Sequence, residues 1–439
     1  MEKITTWIKS NKLEFCILTL ILAVGAFVRL YRIDGYMTFL GDEGRDVIIV
    51  TRLLKELHPP LIGPGTSIGS MYLGPLYYYM MAPALLLANF SPIGPAVMIA
   101  LLGVLTIAFV WYVGREVAAP ATPGLLGGRV SWGALIAAFL YAISPTVIIY
   151  SRSSWNPNIM PFFALLCIYA IWRVWTKHQY KWLIVLGISF AFVLKSHYLG
   201  ILLTPTIGLF WLLTLKNLRS FRISDFGFRD FLRNSLVALI IFAGLMSPLL
   251  IFDIRHGWIN SAAILKFFAE RQTTVSVLPW KAVPNLWPIY QNVIERLPGG
   301  RSIMAGNILS VVLAVFVAVK LLNLRKLEAK YRNNFLFLLS WIVFGLVGLG
   351  LYKQHIYDHY YGFFFAAPFL LLGALAKEAL GIRHWGLVGK TIAYCLLPIA
   401  FVGVVVVNLF NSPLKSQPTM QLQRAQIVSK KVIEVAGGE

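Results

Sequence analysis

Charge is scarce in this chain of 439 residues. Asp, Glu, Lys and Arg together make up 13% of it, against about a quarter in a soluble domain. Acid is scarcer still, with 18 Asp and Glu against 39 Lys and Arg, a net charge of +21. Cysteine is nearly missing. Cys16, Cys167 and Cys395 lie far apart, each inside its own apolar run, which excludes a disulfide framework and reads as packing. No internal repeat or low-complexity tract is present. In their place the chain is 58% hydrophobic. That combination excludes a soluble enzyme, a disordered chain and a secreted disulfide scaffold. The basic excess would suggest nucleic acid in a soluble protein. In a chain this apolar it suggests the positive-inside rule, and no nucleic-acid partner is expected.

The hydrophobic runs resolve into about eleven spans, each near the ~20 residues that cross a bilayer. They lie at 13–31, 93–113, 131–150, 159–175, 182–196, 199–215, 235–252, 303–322, 335–352, 360–376 and 391–409. The first follows Lys3, Lys9 and Lys12 and ends at Val28-Arg29-Leu30 without a small-residue cleavage site, so it is expected to be retained. The stretch 76–90 is short, is interrupted by Pro83, and opens on Tyr77, Tyr78 and Tyr79. Charge decides its place. If it lies on the membrane surface, the N-terminus and the loops 114–130, 173–181, 216–234, 320–334 and 377–390 share one side. That side then holds roughly 21 of the basic residues in about 86 positions, twice the density of the other. If 76–90 crossed, every later basic loop would oppose the N-terminal lysines. The expectation is therefore an all-α polytopic membrane protein of one domain. Its N-terminus is cytoplasmic, with outer loops at 32–92 and 253–302 and an outer tail from 410 to 439.

Almost no acid falls in the middle of a span, which disfavours an ion-coupled transporter. The outer face instead carries Gly41-Asp42-Glu43-Gly44-Arg45-Asp46, followed by an amphipathic stretch. A carboxylate at such a turn can act as a general base, and Arg45 can bind an anion. Equally, Asp42 can cap a helix and Glu43 complement its dipole. Tyr72 to Tyr79 read alone as an interfacial aromatic belt. The turn Tyr150-Ser151-Arg152-Ser153-Ser154-Trp155-Asn156-Pro157-Asn158 holds an arginine that either snorkels to headgroups or lines a polar pocket. Lys195-Ser196-His197-Tyr198, Asp253-Ile254-Arg255-His256 and the group Lys353, His355, Asp358, His359, Tyr360, Tyr361 complete the outer face. His355 and His359 with Asp358 have a zinc-like spacing. An anion site of Arg, Lys and His is the preferred reading, and no resident metal is expected.

These motifs, in this order, resemble the membrane glycosyltransferases of the C-type fold. In particular they resemble the dolichyl-phosphate-mannose–protein mannosyltransferase and aminoarabinose transferase group, family 39. The likeness is strongest over residues 13–200. Asp42-Glu43 match the Asp-Glu pair of that family's first outer loop, where the Asp is the catalytic carboxylate. Arg45 matches a nearby basic position associated with the lipid phosphate. Leu73-Gly74-Pro75-Leu76-Tyr77-Tyr78 is similar to a Pro-Pro-Leu-Tyr-Tyr segment. The basic residue often found before those prolines is missing, and Tyr72 and Leu73 stand there. Tyr150-Ser151-Arg152 is similar to the second outer motif, with Asn156 or Asn158 in place of an Asp.

The resemblance implies a C-type glycosyltransferase bundle with juxtamembrane helices in the first outer loop. It also implies a polyprenyl-phosphate sugar donor and a protein, lipid or glycan acceptor, met at the extracytoplasmic face of a cell membrane. Transfer would be inverting, with Asp42 as general base and Glu43 beside it. Arg45, Arg152, Lys195, His197, Arg255 and His359 are the candidate donor-phosphate and lipid ligands. Tyr72, Tyr77, Asn156 and Tyr360 are candidates for the substrate pocket. A lipid monophosphate leaves without a metal if cations stabilise it, so a divalent ion is not favoured. Two other readings are a lipid-linked glycan flippase and a polysaccharide polymerase or ligase, the latter suggested by the long loop 253–302.

Overall fold

The computed structural model describes residues 2–66, 71–120, 122–123, 129–220, 225–269, 275–276, 278–380 and 397–437. Cys395 and part of the expected span 391–409 lie outside these residues. The described residues are almost wholly helical, and among them one short antiparallel ladder pairs Thr122–Pro123 with Arg129–Val130. A bilayer offers no water to unpaired backbone groups, and helices satisfy theirs internally.

Among the described residues, seven helices are long and apolar enough to cross a membrane. They are Lys12–Leu30, Ile93–Ala118, Asn156–Lys177, Tyr198–Leu218, Gly227–Arg255, Ile303–Leu322 and Ala329–Gly350. An eighth is a bent pair, Asp358–Phe364 and Ala366–Leu380, which meet at 59°. Three further expected spans coincide with shorter apolar helices, Trp132–Ile143, Trp182–Ser196 and Pro398–Phe410. The first of these stops at Ser144, and a separate turn, Pro145–Tyr150, continues the run. Pro145 supplies the break, because proline restricts the residue before it and cannot donate to the helix ladder. Leu76–Leu87 forms as a 12-residue helix with Pro83 inside it.

Glycine sets the tightest helix crossing. A Cβ on Gly133 would lie 2.2 Å from the Gly373 carbonyl, so Trp132–Ile143 and Ala366–Leu380 touch backbone to backbone. Large rings fill the centre, with Tyr141, Tyr169, Trp172, Phe337, Trp341 and Phe363 all buried. Asn334 bridges two elements there. Its Oδ1 accepts from the Trp172 indole at 3.0 Å, and its Nδ2 donates to the Val117 carbonyl at 3.0 Å. Leu236, Leu239 and Ile240 on Asp225–Arg255 face outward, the surface that lipid chains cover.

Candidate functional site

The loop after the first span begins with a four-residue turn, Ile33–Tyr36, and continues into the helix Gly41–Lys55. Leu40 is the N-cap, and its side chain has no acceptor. Glu43 compensates from the third helical position, where its Oε2 accepts the Leu40 N–H at 2.9 Å. Capping therefore belongs to Glu43, not to Asp42. Glu43 is buried, and burial pushes its carboxyl pKa up against the pull of that hydrogen bond. Asp42 stands free of the cap, with its side chain about half exposed, and accepts from Arg45 Nη1 at 2.8 Å.

Arg45 is shared between two carboxylates. Its Nε and Nη2 donate to Asp46 Oδ1 at 3.0 and 2.8 Å. Asp46 is fully buried, and burial raises its pKa to about 6 despite the adjacent guanidinium. The same Oδ1 accepts from the Tyr78 hydroxyl at 3.1 Å. Asp46 thus fixes one edge of Arg45 and leaves the other edge to Asp42.

The three tyrosines do more than mark an interface. Tyr77 and Tyr78 are buried, and each hydroxyl reaches a different neighbour. Tyr77 pairs with the Ser154 hydroxyl at 2.7 Å, Tyr78 with Asp46, and Tyr79 donates to the Pro60 carbonyl at 2.6 Å. The helix Leu76–Leu87 therefore ties the acidic helix to the loop before it and to the Arg152 turn. That loop folds as a hairpin-like strap, with Gly63 N–H donating to Leu73 O at 2.7 Å and Leu73 N–H to Pro64 O at 2.9 Å. A Cβ on Gly63 would meet the Gly74 carbonyl at 2.3 Å, which only glycine allows.

Between this strap and the acidic helix lies a cleft of about 680 Å³. Arg45, Ile49 and Arg52 line one wall, His58 to Gly65 another, and Tyr72, Tyr78, Phe252 and Arg255 close it. Arg52 is held by Glu56 at 3.3 Å. Among the described residues Arg255 makes no ion pair. The far wall of the cleft is organised by Asp253, whose carboxylate accepts the N–H groups of Asn260 and Ser261 at 2.8 and 2.9 Å. Asn260 in turn accepts the Tyr72 N–H at 2.7 Å.

Of the expected residues, Arg45, Tyr72 and Arg255 line the cleft, Asp42 adjoins it through its ion pair with Arg45, and Glu43 is buried against the start of its helix. Tyr77 lies behind the cleft. Lys195 is buried behind the strap, where its ammonium donates to the Leu245 carbonyl and its chain passes against Gly74. Arg152 lies elsewhere. It donates to the carbonyls of Val28 and Tyr31 at 3.1 and 2.7 Å and sits 4.6 Å from the centre of the Tyr36 ring. It thus caps the C-terminus of the first spanning helix. Burial brings its pKa down to about 10, so it stays charged. Asn156 likewise donates to the Ser196 carbonyl at 2.6 Å.

His197, His359 and Tyr360 form a separate aromatic group with Trp155. The ring of His197 lies 4.8 Å from Tyr360 and 5.6 Å from His359, which lies 4.6 Å from Trp155. Burial, with His359 beside it, pushes the His197 pKa down to about 3, so this imidazole is neutral. Asp358 is bound to Arg301 at 2.7 Å. Among the described residues no three His, Cys, Asp or Glu side chains converge as metal ligands.

Sequence reasoning missed Asp46, Arg52, His58, Tyr78 and Phe252. One of them, Arg52, had a readable signal, because Arg45, Ile49 and Arg52 follow an i, i+4, i+7 stripe that puts both guanidiniums on one helix face. Tyr78, Phe252 and His58 meet the site only through the tertiary fold.

Residues 73–250 match the sequence model of a family described as dolichyl-phosphate-mannose-protein mannosyltransferase. No curated protein matches the chain. Solved structures match it at low identity. One is ArnT from Cupriavidus metallidurans bound to undecaprenyl phosphate, at 13% identity and a TM-score of 0.55, covering 92% of this chain and 76% of that one. Another is the archaeal oligosaccharyltransferase AglB from Archaeoglobus fulgidus, in complex with an inhibitory peptide and a dolichol-phosphate. It matches at 15% identity and a TM-score of 0.54, over 93% of this chain and 56% of that one. This chain thus spans little more than half of the oligosaccharyltransferase. The chain has the C-type membrane-glycosyltransferase fold, and its segment 73–250 resembles the dolichyl-phosphate-mannose–protein mannosyltransferases.

Proposed function

We propose that the protein is a membrane glycosyltransferase that moves a sugar from a polyprenyl-phosphate donor to an acceptor on the extracytoplasmic side. The observation that carries this reading is the cleft in which Arg45, Arg52 and Arg255 converge next to the accessible carboxylate of Asp42. A polyprenyl phosphate presents its anion at the membrane surface, and arginine forks match phosphate oxygens. The fold and the mannosyltransferase-like segment support the same donor chemistry, since the two solved relatives hold dolichol-phosphate and undecaprenyl phosphate.

The chemistry follows from charge. Asp42 takes the proton from the acceptor hydroxyl or amine as that atom attacks the sugar C1. The C1–O bond to phosphate breaks, and its electron pair leaves with the lipid phosphate. Arg45 and Arg255 stabilise the charge that develops on the leaving oxygen. Direct attack inverts the anomeric centre. Asp46 holds Arg45 in place, and Glu43 keeps the helix end formed. The positive-inside charge pattern supports the side of the membrane.

The test is transfer of labelled sugar from a polyprenyl-phosphate donor by the wild type and by Asp42→Asn. Loss of a general base costs about 10²–10⁴-fold. The variant is expected to lose at least 10²-fold while eluting and melting like the wild type. Full transfer by Asp42→Asn would refute the reading.

A further inference from the structure

The N-terminus of the acidic helix is poorly packed by its own neighbours. A Cβ on Gly41 would touch nothing within 4 Å, and the Asp42 side chain is about half exposed. What holds this end in place comes from the other end of the chain.

After the helix Leu397–Phe410 the chain folds back over the turn that precedes the acidic helix. The Tyr36 hydroxyl lies 3.2 and 2.9 Å from the carbonyls of Leu414 and Ser416, sharing one proton between them. The Met420 N–H donates to the Gly35 carbonyl at 2.9 Å. A Cβ on Gly35 would meet Met420 Sδ at 2.8 Å and Pro418 Cβ at 3.1 Å, so the two segments are in close contact. Leu422 is buried with Ile33, Met37, Ala96 and Ala100. Finally, the side-chain oxygen of Gln421 accepts the Phe39 N–H at 2.7 Å.

The result is a continuous clamp. The Phe39 N–H is held by Gln421 from the tail, and the next donor, Leu40 N–H, is held by Glu43 from the helix. On the far side of Tyr36, Arg152 stacks on the ring while its nitrogens hold the carbonyls of the first span. The short turn between the span and Asp42 is therefore gripped by the tail on one side and by Arg152 on the other.

We propose that the segment Pro413 to Leu422 is a positioning strap for Asp42, and that Gln421 is its positioning residue. This rests on the reading of Asp42 as general base. Gln421 touches no reacting atom. It sets the backbone from which Asp42 projects, and proton transfer depends steeply on that placement. Among the described residues the cleft walls, 45–65, 72–78 and 252–255, share no hydrogen bond with the segment Pro413 to Leu422, so donor binding is expected to be independent of it.

The experiment compares wild type, Gln421→Ala, Gln421→Glu and Asp42→Asn in two readouts. One is kcat and donor KM. The other is amide hydrogen exchange of the peptide containing Phe39 and Leu40, which needs no activity. Gln421→Ala is expected to lower kcat about tenfold, leave the donor KM within about twofold, and speed exchange at Phe39. Gln421→Glu keeps an acceptor at the same reach and is expected to restore most of both. Unchanged kcat in Gln421→Ala overturns the proposal, with faster exchange marking a merely structural bond. A fall in kcat with unchanged exchange also overturns it. Full transfer by Asp42→Asn would instead overturn the general-base reading, and the exchange data would still report the clamp.

Discussion

Replacing Asp46 with asparagine removes a buried ionisable group and keeps the oxygen that accepts from Arg45 and Tyr78. In the native protein burial lifts this carboxyl from its ordinary 3.8 to about 6. Between those two values the folded protein keeps a proton that the unfolded chain has released. The contribution to stability is therefore full below about pH 4 and declines as the pH rises to 6. A proton held over roughly two pH units is worth on the order of 3 kcal/mol. Asparagine cannot titrate, so the difference between the two proteins isolates this one group from every other carboxylate. Thermal unfolding in detergent at pH 4, 5, 6 and 7.5 is the assay. The wild type is expected to lose ground to Asp46→Asn steadily from pH 4 to about 6.5, and then to run parallel with it. A difference that stays constant across this range would refute the argument that desolvation outweighs Arg45 at Asp46.

Gly74→Ala places a methyl 2.3–2.6 Å from Cδ, Cε and Nζ of Lys195, which is itself buried and bonded to Leu245. Overpacking of this kind costs about 1–3 kcal/mol, so a clear drop in melting temperature is expected, and an unchanged one would contradict the packing. Single cysteines at Leu57, 82% exposed, and at Lys177, also exposed, are expected to react with an impermeant reagent from opposite sides of the membrane. Labelling of both from one side would refute the topology.

How far the sequence could be read depends on the range of the interaction. Local signals were legible. The Gly41-Asp42-Glu43-Gly44 run announces a helix start, and the apolar runs announce spans of bilayer length. Even there, which acid caps depends on one residue of register. The helix starts at Gly41, so Glu43 falls at the third position and reaches back to Leu40. Tyr77 to Tyr79 read as a belt because nothing local shows their partners, and Asp46, Pro60 and Ser154 are 19 to 77 residues away. Arg152 has the same difficulty. Its partners are backbone carbonyls of the first helix, which every sequence supplies and none advertises. The cleft itself needs Arg255 and Arg45 to line one space, two helix positions about two hundred residues apart in sequence that only the bundle brings together.

The most direct test of the account is a structure with a polyprenyl phosphate bound. The account predicts the phosphate in the cleft, within hydrogen-bonding distance of Arg45 or Arg255, with Asp42 on the side where the sugar C1 would attach. A phosphate seated outside the cleft, for example among Trp155, His197 and His359, with Asp42 facing away from it, would contradict it.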